Sequence, residues 1–134
     1  MPTDPEYLMV AGAPPPPPTA AYSHAVRAGA FLFVTGQLGV DPATNRLVAG
    51  GIEAQTHQVM RNLTTVLADG GASLDRTVMA RVYLANFADY AAMNAVYATY
   101  FAAGRHPART TVGVTGLALE ALVEIDLIVR LGVD

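Results

Sequence analysis

The side chain best suited to hold an anion in this sequence is Arg109, set into Pro107-Ala108-Arg109-Thr110-Thr111. Its guanidinium is planar and always charged, and its forked donors match a carboxylate or phosphate two bonds at a time. A Tyr-rich stretch before it, 90–101, and Val112-Gly113-Val114 after it put Arg109 where a helix gives way to a strand. A surface or ion-pair role is the competing reading. A second feature is the carboxylate pair Glu124 and Asp126 within the alternating run Leu122–Leu131. Strand parity puts both on one face, about 7 Å apart. A solvated sheet face would explain them, but Leu122 and Ile128 share that face, which predicts partial burial and a need for partners, with Arg109 available as one. Third, Gly36 interrupts an apolar run between Thr35 and Gln37, marking a bulge or a close backbone approach. His24, His57 and His106 have no metal-ligand spacing, and the absence of cysteine removes thiolate nucleophiles, thiolate metal sites and disulfides together, so no metal site is expected.

The elements that must position these groups follow from the pattern. Tyr7–Gly12 is short and apolar and runs into the five prolines Pro14–Pro18, so residues 1–19 read as an extended, Pro-rich N-terminal segment. From Tyr22 to Val40 two strands are joined by a hairpin at Ala28-Gly29, and Asp41-Pro42-Ala43-Thr44-Asn45 is turn chemistry. Ile52, Val59, Leu63, Val66 and Leu67 recur at helical spacing, with Glu53, Gln55, Gln58, Arg61 and Asp69 mostly opposite, before Gly70-Gly71 closes the helix. Residues 77–84 alternate, predicting a strand with Val78, Ala80, Val82 and Leu84 on one face. Asn86 can cap a second helix whose Tyr90, Met93, Asn94, Tyr97, Tyr100 and Phe101 fall near one face. That stripe reads as core, and the Asn94 amide within it requires a hydrogen bond, expected from the backbone. The order strand, strand, helix, strand, helix, strand, strand is an α+β plan, a mixed sheet with two helices on one face.

At 134 residues the chain reads as a single domain, 1–134. Charged residues make up 14% against the roughly 25% usual in soluble domains, while apolar types make up 52% and mean hydropathy is +0.33. No apolar run approaches the ~20 residues of a membrane helix, so the surplus apolar surface is expected in a subunit interface of a homo-oligomer. Net charge is −3, and the eight Lys and Arg are scattered singly, which argues against a nucleic-acid partner. No basic region precedes an apolar segment at the N-terminus, so no signal peptide is expected and the cytoplasm is the default location.

Several motifs resemble the Rid family, also called YjgF/YER057c/UK114, and the likeness runs nearly end to end. Tyr22-Ser23-His24-Ala25-Val26 resembles its Y-S-Q-A-V, Thr35-Gly36-Gln37 its S-G-Q, and Asp41-Pro42 with Thr44 its D-P-x-T-G turn. Asn94 and Tyr97 with Tyr100-Phe101 resemble N-x-x-Y-x-x-[FY]-F, Pro107-Ala108-Arg109-Thr110 resembles P-A-R-[ST], and Glu124-Ile125-Asp126 resembles E-I-E. The resemblance implies a chorismate-mutase-like fold in a homotrimer, its sheets forming a central barrel with clefts between subunits. It also implies hydrolytic deamination, without a cofactor, of reactive enamines and imines such as 2-aminoacrylate or 2-iminopropionate to 2-keto acids and ammonia. Arg109 would clamp the substrate carboxylate and Glu124 would activate water, with Tyr22, Thr35, Gly36, Asn94 and Thr111 lining the site. A paralogue that binds a small carboxylate with other or no catalysis is the alternative, followed by an endoribonuclease. The chain departs from the pattern at Ala20-Ala21, His24, Thr35, Leu117-Ala118 and Thr111, which stands where the family often has Cys. A changed loop before Tyr22 with the arginine retained fits a different substrate.

Overall fold

A computed structural model describes residues 4–132. In chain order the elements are β1 (Glu6–Leu8), β2 (Ala25–Ala28), β3 (Phe31–Leu38), the short β4 (Val40–Asp41) and β5 (Arg46–Leu47), α1 (Gly51–Asp69), β6 (Thr77–Leu84), α2 (Tyr90–Ala98), β7 (Ala108–Gly113) and β8 (Val123–Arg130). Six strands form one sheet in the order β1-β2-β3-β8-β6-β7. Its neighbours run antiparallel except β6 and β7, which are parallel because α2 crosses over between them. The mixed sheet with two helices agrees with the α+β expectation.

Alternation along β8 sends Val123, Ile125, Leu127 and Val129 into the core, where they meet Ala80, Val82 and Leu84 of β6 and Leu32 and Val34 of β3. The helices close this layer with Val59, Leu63, Val66 and Leu67 of α1 and Met93 and Tyr97 of α2. Each fully buried large aliphatic side chain contributes about 1.5–3 kcal/mol. Among the described residues no helix covers the other, bare sheet face, where Phe33 is 45% and Val78 43% exposed.

Three local expectations change. Val78 faces outward and Thr77 is buried, because the register with β8 shifts between Thr77 and Met79 and inverts parity at the start of β6. Gln55 and Gln58 are buried rather than solvated, since amides can staple a helix to backbone that lacks ladder partners. Gln55 Oε1 accepts the Leu122 N–H at 2.9 Å, and Gln58 Nε2 donates to Asn62 Oδ1 at 2.9 Å. Asn62 Nδ2 in turn donates to the carbonyls of Leu38 (3.1 Å) and Val40 (2.8 Å). The N-terminal segment is extended where β1 pairs with β2, but it turns where the Ala13 N–H bonds the Val10 carbonyl at 3.2 Å. Residues 1–3 of the expected segment lie outside the described residues.

A candidate active site in two halves

The first half is built on a break in the β3–β8 ladder. Val34 pairs with Leu127 and Gln37 with Ile125, so β3 spends one residue more than β8 and bulges at Thr35-Gly36. Gly36 serves a close approach: a Cβ there would collide with Glu124 Oε2 and lie 2.9 Å from its Cδ. The carboxyl of Glu124 thus occupies the space a side chain would fill. Burial first, and the neighbouring Asp126 second, push the Glu124 carboxyl above the usual carboxylate range. Thr35 ties the bulge to the loop before β2, its Oγ1 donating to the Ser23 carbonyl at 2.7 Å and its N–H to that of His24 at 3.0 Å. That loop carries Tyr22, whose phenol is raised by burial and then by the nearby Glu124.

Asp126 is already satisfied. Arg81 Nε donates to its Oδ1 at 2.8 Å and the Tyr83 hydroxyl to its Oδ2 at 2.9 Å, both reaching across from β6 on the bare face. Arg109 therefore is not the partner of these carboxylates within the chain, contrary to the sequence expectation.

The second half surrounds Arg109. Opposite Ala80 in register, it points to the helix side of the edge strand β7. Its Nη1 donates to Asn94 Oδ1 and its Nη2 to the Tyr90 hydroxyl, both at 2.7 Å, and its guanidinium carbon lies 4.8 Å from the centre of the Tyr97 ring. Asn94 thus pairs with a side chain, not with backbone. Tyr90, Asn94 and Tyr97 reach one arginine because positions four and seven residues on share a helix face. No carboxylate forms an ion pair with Arg109 among the described residues. A cavity of about 430 Å³ opens beside it, lined by Asn94, Tyr97, Ala98, His106 and Pro107. Two buried hydroxyls nearby lack partners among the described residues, those of Tyr97 and of Thr111. Burial pushes the Tyr97 phenol up to about 12, against the pull of Arg109, so it remains a donor. The aromatic stripe is both core and the bed of a cation.

The halves do not meet in one chain. Arg109 and Glu124 sit on opposite sheet faces with β6 between their strands. Sequence reading passed over Tyr90, Tyr97, Arg81 and Tyr83 as site components. Helical spacing could have flagged the first two, whereas the pairing of Arg81 and Tyr83 with Asp126 depends on strand register. Among the described residues no cluster of His, Asp or Glu could hold a metal ion, and no helix is long and apolar enough to cross a membrane.

A bulged sheet with two helices on one face and an arginine opening the edge strand define a class of small α+β proteins. The sequence profile of the family described as Endoribonuclease L-PSP matches residues 13–131, and the chain belongs to this family, the one also called Rid or YjgF/YER057c/UK114. A RutC family protein of Pyrococcus horikoshii is 44% identical over 107 residues, covering 80% of this chain and 84% of the relative. Reactive Intermediate Deaminase A of Arabidopsis thaliana, a chloroplast protein, is 39% identical over 110 residues, covering 82% of this chain and 58% of the relative. Among solved structures, a member of the conserved Rid protein family from Yersinia pestis superposes with a TM-score of 0.89 at 34% identity, covering 96% of this chain and all of the other.

Proposed function

We propose that the chain is a cofactor-free deaminase that hydrolyses 2-imino acids, and the enamines that tautomerise to them, to 2-keto acids and ammonia. The observation that carries this reading is Glu124, a half-buried carboxyl against Gly36 with a raised pKa and no cationic partner among the described residues. Such a group is tuned toward neutrality, where a general base and acid works best. Arg109 grips the substrate carboxylate with the donors that Asn94 and Tyr90 leave free. Glu124 takes a proton from water as its oxygen adds to the imine carbon, and returns it as the C–N bond breaks and ammonia departs. Holding both reactants in place supplies much of the acceleration.

Because the two halves face apart, the site requires β7 of one subunit beside the β3–β8 bulge of its neighbour. A homotrimer with sheets inward meets this requirement and covers the apolar bare face. In this reading the chain works as one domain in the cytoplasm, with Tyr22, Thr35 and Thr111 completing the cleft. Thr111 favours a second reading, a paralogue that holds a small carboxylate without turnover, since its orphan hydroxyl is a donor waiting for a ligand. RNA cleavage is disfavoured by a surplus of acidic over basic residues. The deciding assay generates imines in situ with an amino-acid oxidase and follows keto-acid release with and without the protein. Faster release is expected, and unchanged release for every imine tried would leave only ligand binding.

A further inference from the structure

The proline run takes no part in the reaction proposed above, yet it builds a wall beside it. A cavity of about 600 Å³ lies between Pro14–Pro18 on one side and Leu38, Val40 and Leu119 on the other. Tyr22 and Gly36 also line it, both beside the Glu124 carboxyl, so it opens onto the reacting half of the site. None of its lining residues is charged. A charged group entering it would lose water and meet no opposite charge, only the neutral side chains of Gln37, Asn45 and Tyr22 among the polar lining, whereas an apolar one would gain from burial against the prolines and leucines.

Both walls are held in place. Prolines have a fixed φ and lose almost no side-chain freedom when a ligand packs on them. His24 is buried and clamps the run: its Nδ1 accepts the Val10 N–H at 2.8 Å, which leaves Nε2–H to donate to the Pro14 carbonyl at 2.8 Å. On the opposite wall Leu119 has φ +59° and Glu120 φ +57°, left-handed conformations disfavoured by a β-carbon. Strain of this kind clusters at ligand clamps. Leu119 nevertheless stays 63% exposed, an apolar side chain fixed at the cavity with nothing packed over it.

We propose that Pro14–Pro18 and Leu119 form the side-chain pocket of the site, selecting 2-imino acids with a branched or aromatic substituent over those with a methyl group. This rests on the deaminase reading, and the cavity far exceeds what a methyl group fills. The test compares kcat/KM for imines made by an amino-acid oxidase from L-leucine, L-phenylalanine and L-alanine. Calorimetric affinities for the three corresponding 2-keto acids are measured alongside. Leu119→Gly and Leu119→Asn both accept the left-handed backbone, so at least one folded variant is expected, as checked by circular dichroism. The native chain should favour the leucine or phenylalanine imine by about tenfold or more, and both variants should shrink that ratio several-fold. Equal rates with all three imines, or a ratio unmoved in both variants, would overturn the pocket while leaving the deaminase intact. If no imine is hydrolysed but the larger keto acids bind about tenfold tighter than pyruvate and lose that advantage in the variants, the pocket stands and the deaminase reading falls.

Discussion

Glu124 sits where burial and Asp126 both oppose its charge, so its proposed role as a base and its effect on stability pull in opposite directions. With a folded pKa above the unfolded one, the native chain binds more protons than the unfolded chain between the two values. The stabilisation is fully present below the unfolded pKa and is lost as pH rises through the folded pKa. Glu124→Gln should therefore raise Tm at neutral pH and flatten its dependence on pH in the mildly acidic range. The same change should lower imine hydrolysis by about 10²–10⁴-fold, and native activity should fall toward acid with a midpoint above the usual carboxylate value. Calorimetry and a pH–rate profile read these outcomes, and a Gln variant no more stable at neutral pH would contradict the burial argument. Strand parity alone put Glu124 and Asp126 on one face, and the structure agrees. The partners of Asp126 were not legible, because only a register that includes a bulge sets Arg81 opposite Asp126 and Tyr83 opposite Glu124, within diagonal reach of Asp126.

At the scale of elements, two glycines three residues apart serve different masters. The atoms nearest a Cβ at Gly36 belong to the flexible Glu124 side chain, whereas one at Gly39 meets Gln55 Cα at 2.8 Å and its carbonyl oxygen at 2.9 Å. Gly36→Ala should displace the carboxyl and cut turnover by about tenfold or more, while its urea midpoint stays near that of the native chain. Gly39→Ala must push α1 off the sheet and strain the Gln55–Leu122 bond, costing about 1–3 kcal/mol by the same titration. Gly36 announced itself as a glycine inside an apolar run. Gly39 did not, since its reason lies in a helix that approaches from elsewhere in the sequence. The same limit explains Val78 and the buried glutamines: periodicity gives the element, but contacts between elements decide which polar groups they hide.

At the scale of the molecule, low charge and a bare sheet face with Phe33, Val78 and Val112 exposed point to the same surface, and a division of Arg109 from Glu124 gives that surface a purpose. Composition raised the expectation of an interface, and in the proposed trimer strand parity is what assigns it to the bare face; the separation of Arg109 from Glu124 needed the sheet order. Light scattering should return a mass three times 14.0 kDa, and Phe33→Lys should lower both the mass and the activity. Mixing unfolded Arg109→Ala and Glu124→Ala chains in equal amounts and refolding them should restore turnover that neither has alone, since about one site in four then joins two intact residues. No recovery would mean that the site does not span subunits. A shared site also has a genetic corollary. In a cell carrying two damaged copies of the gene, one lesioned at Arg109 and the other at Glu124, mixed assemblies would still contain some intact sites, so two lesions that are each inactivating alone would complement one another.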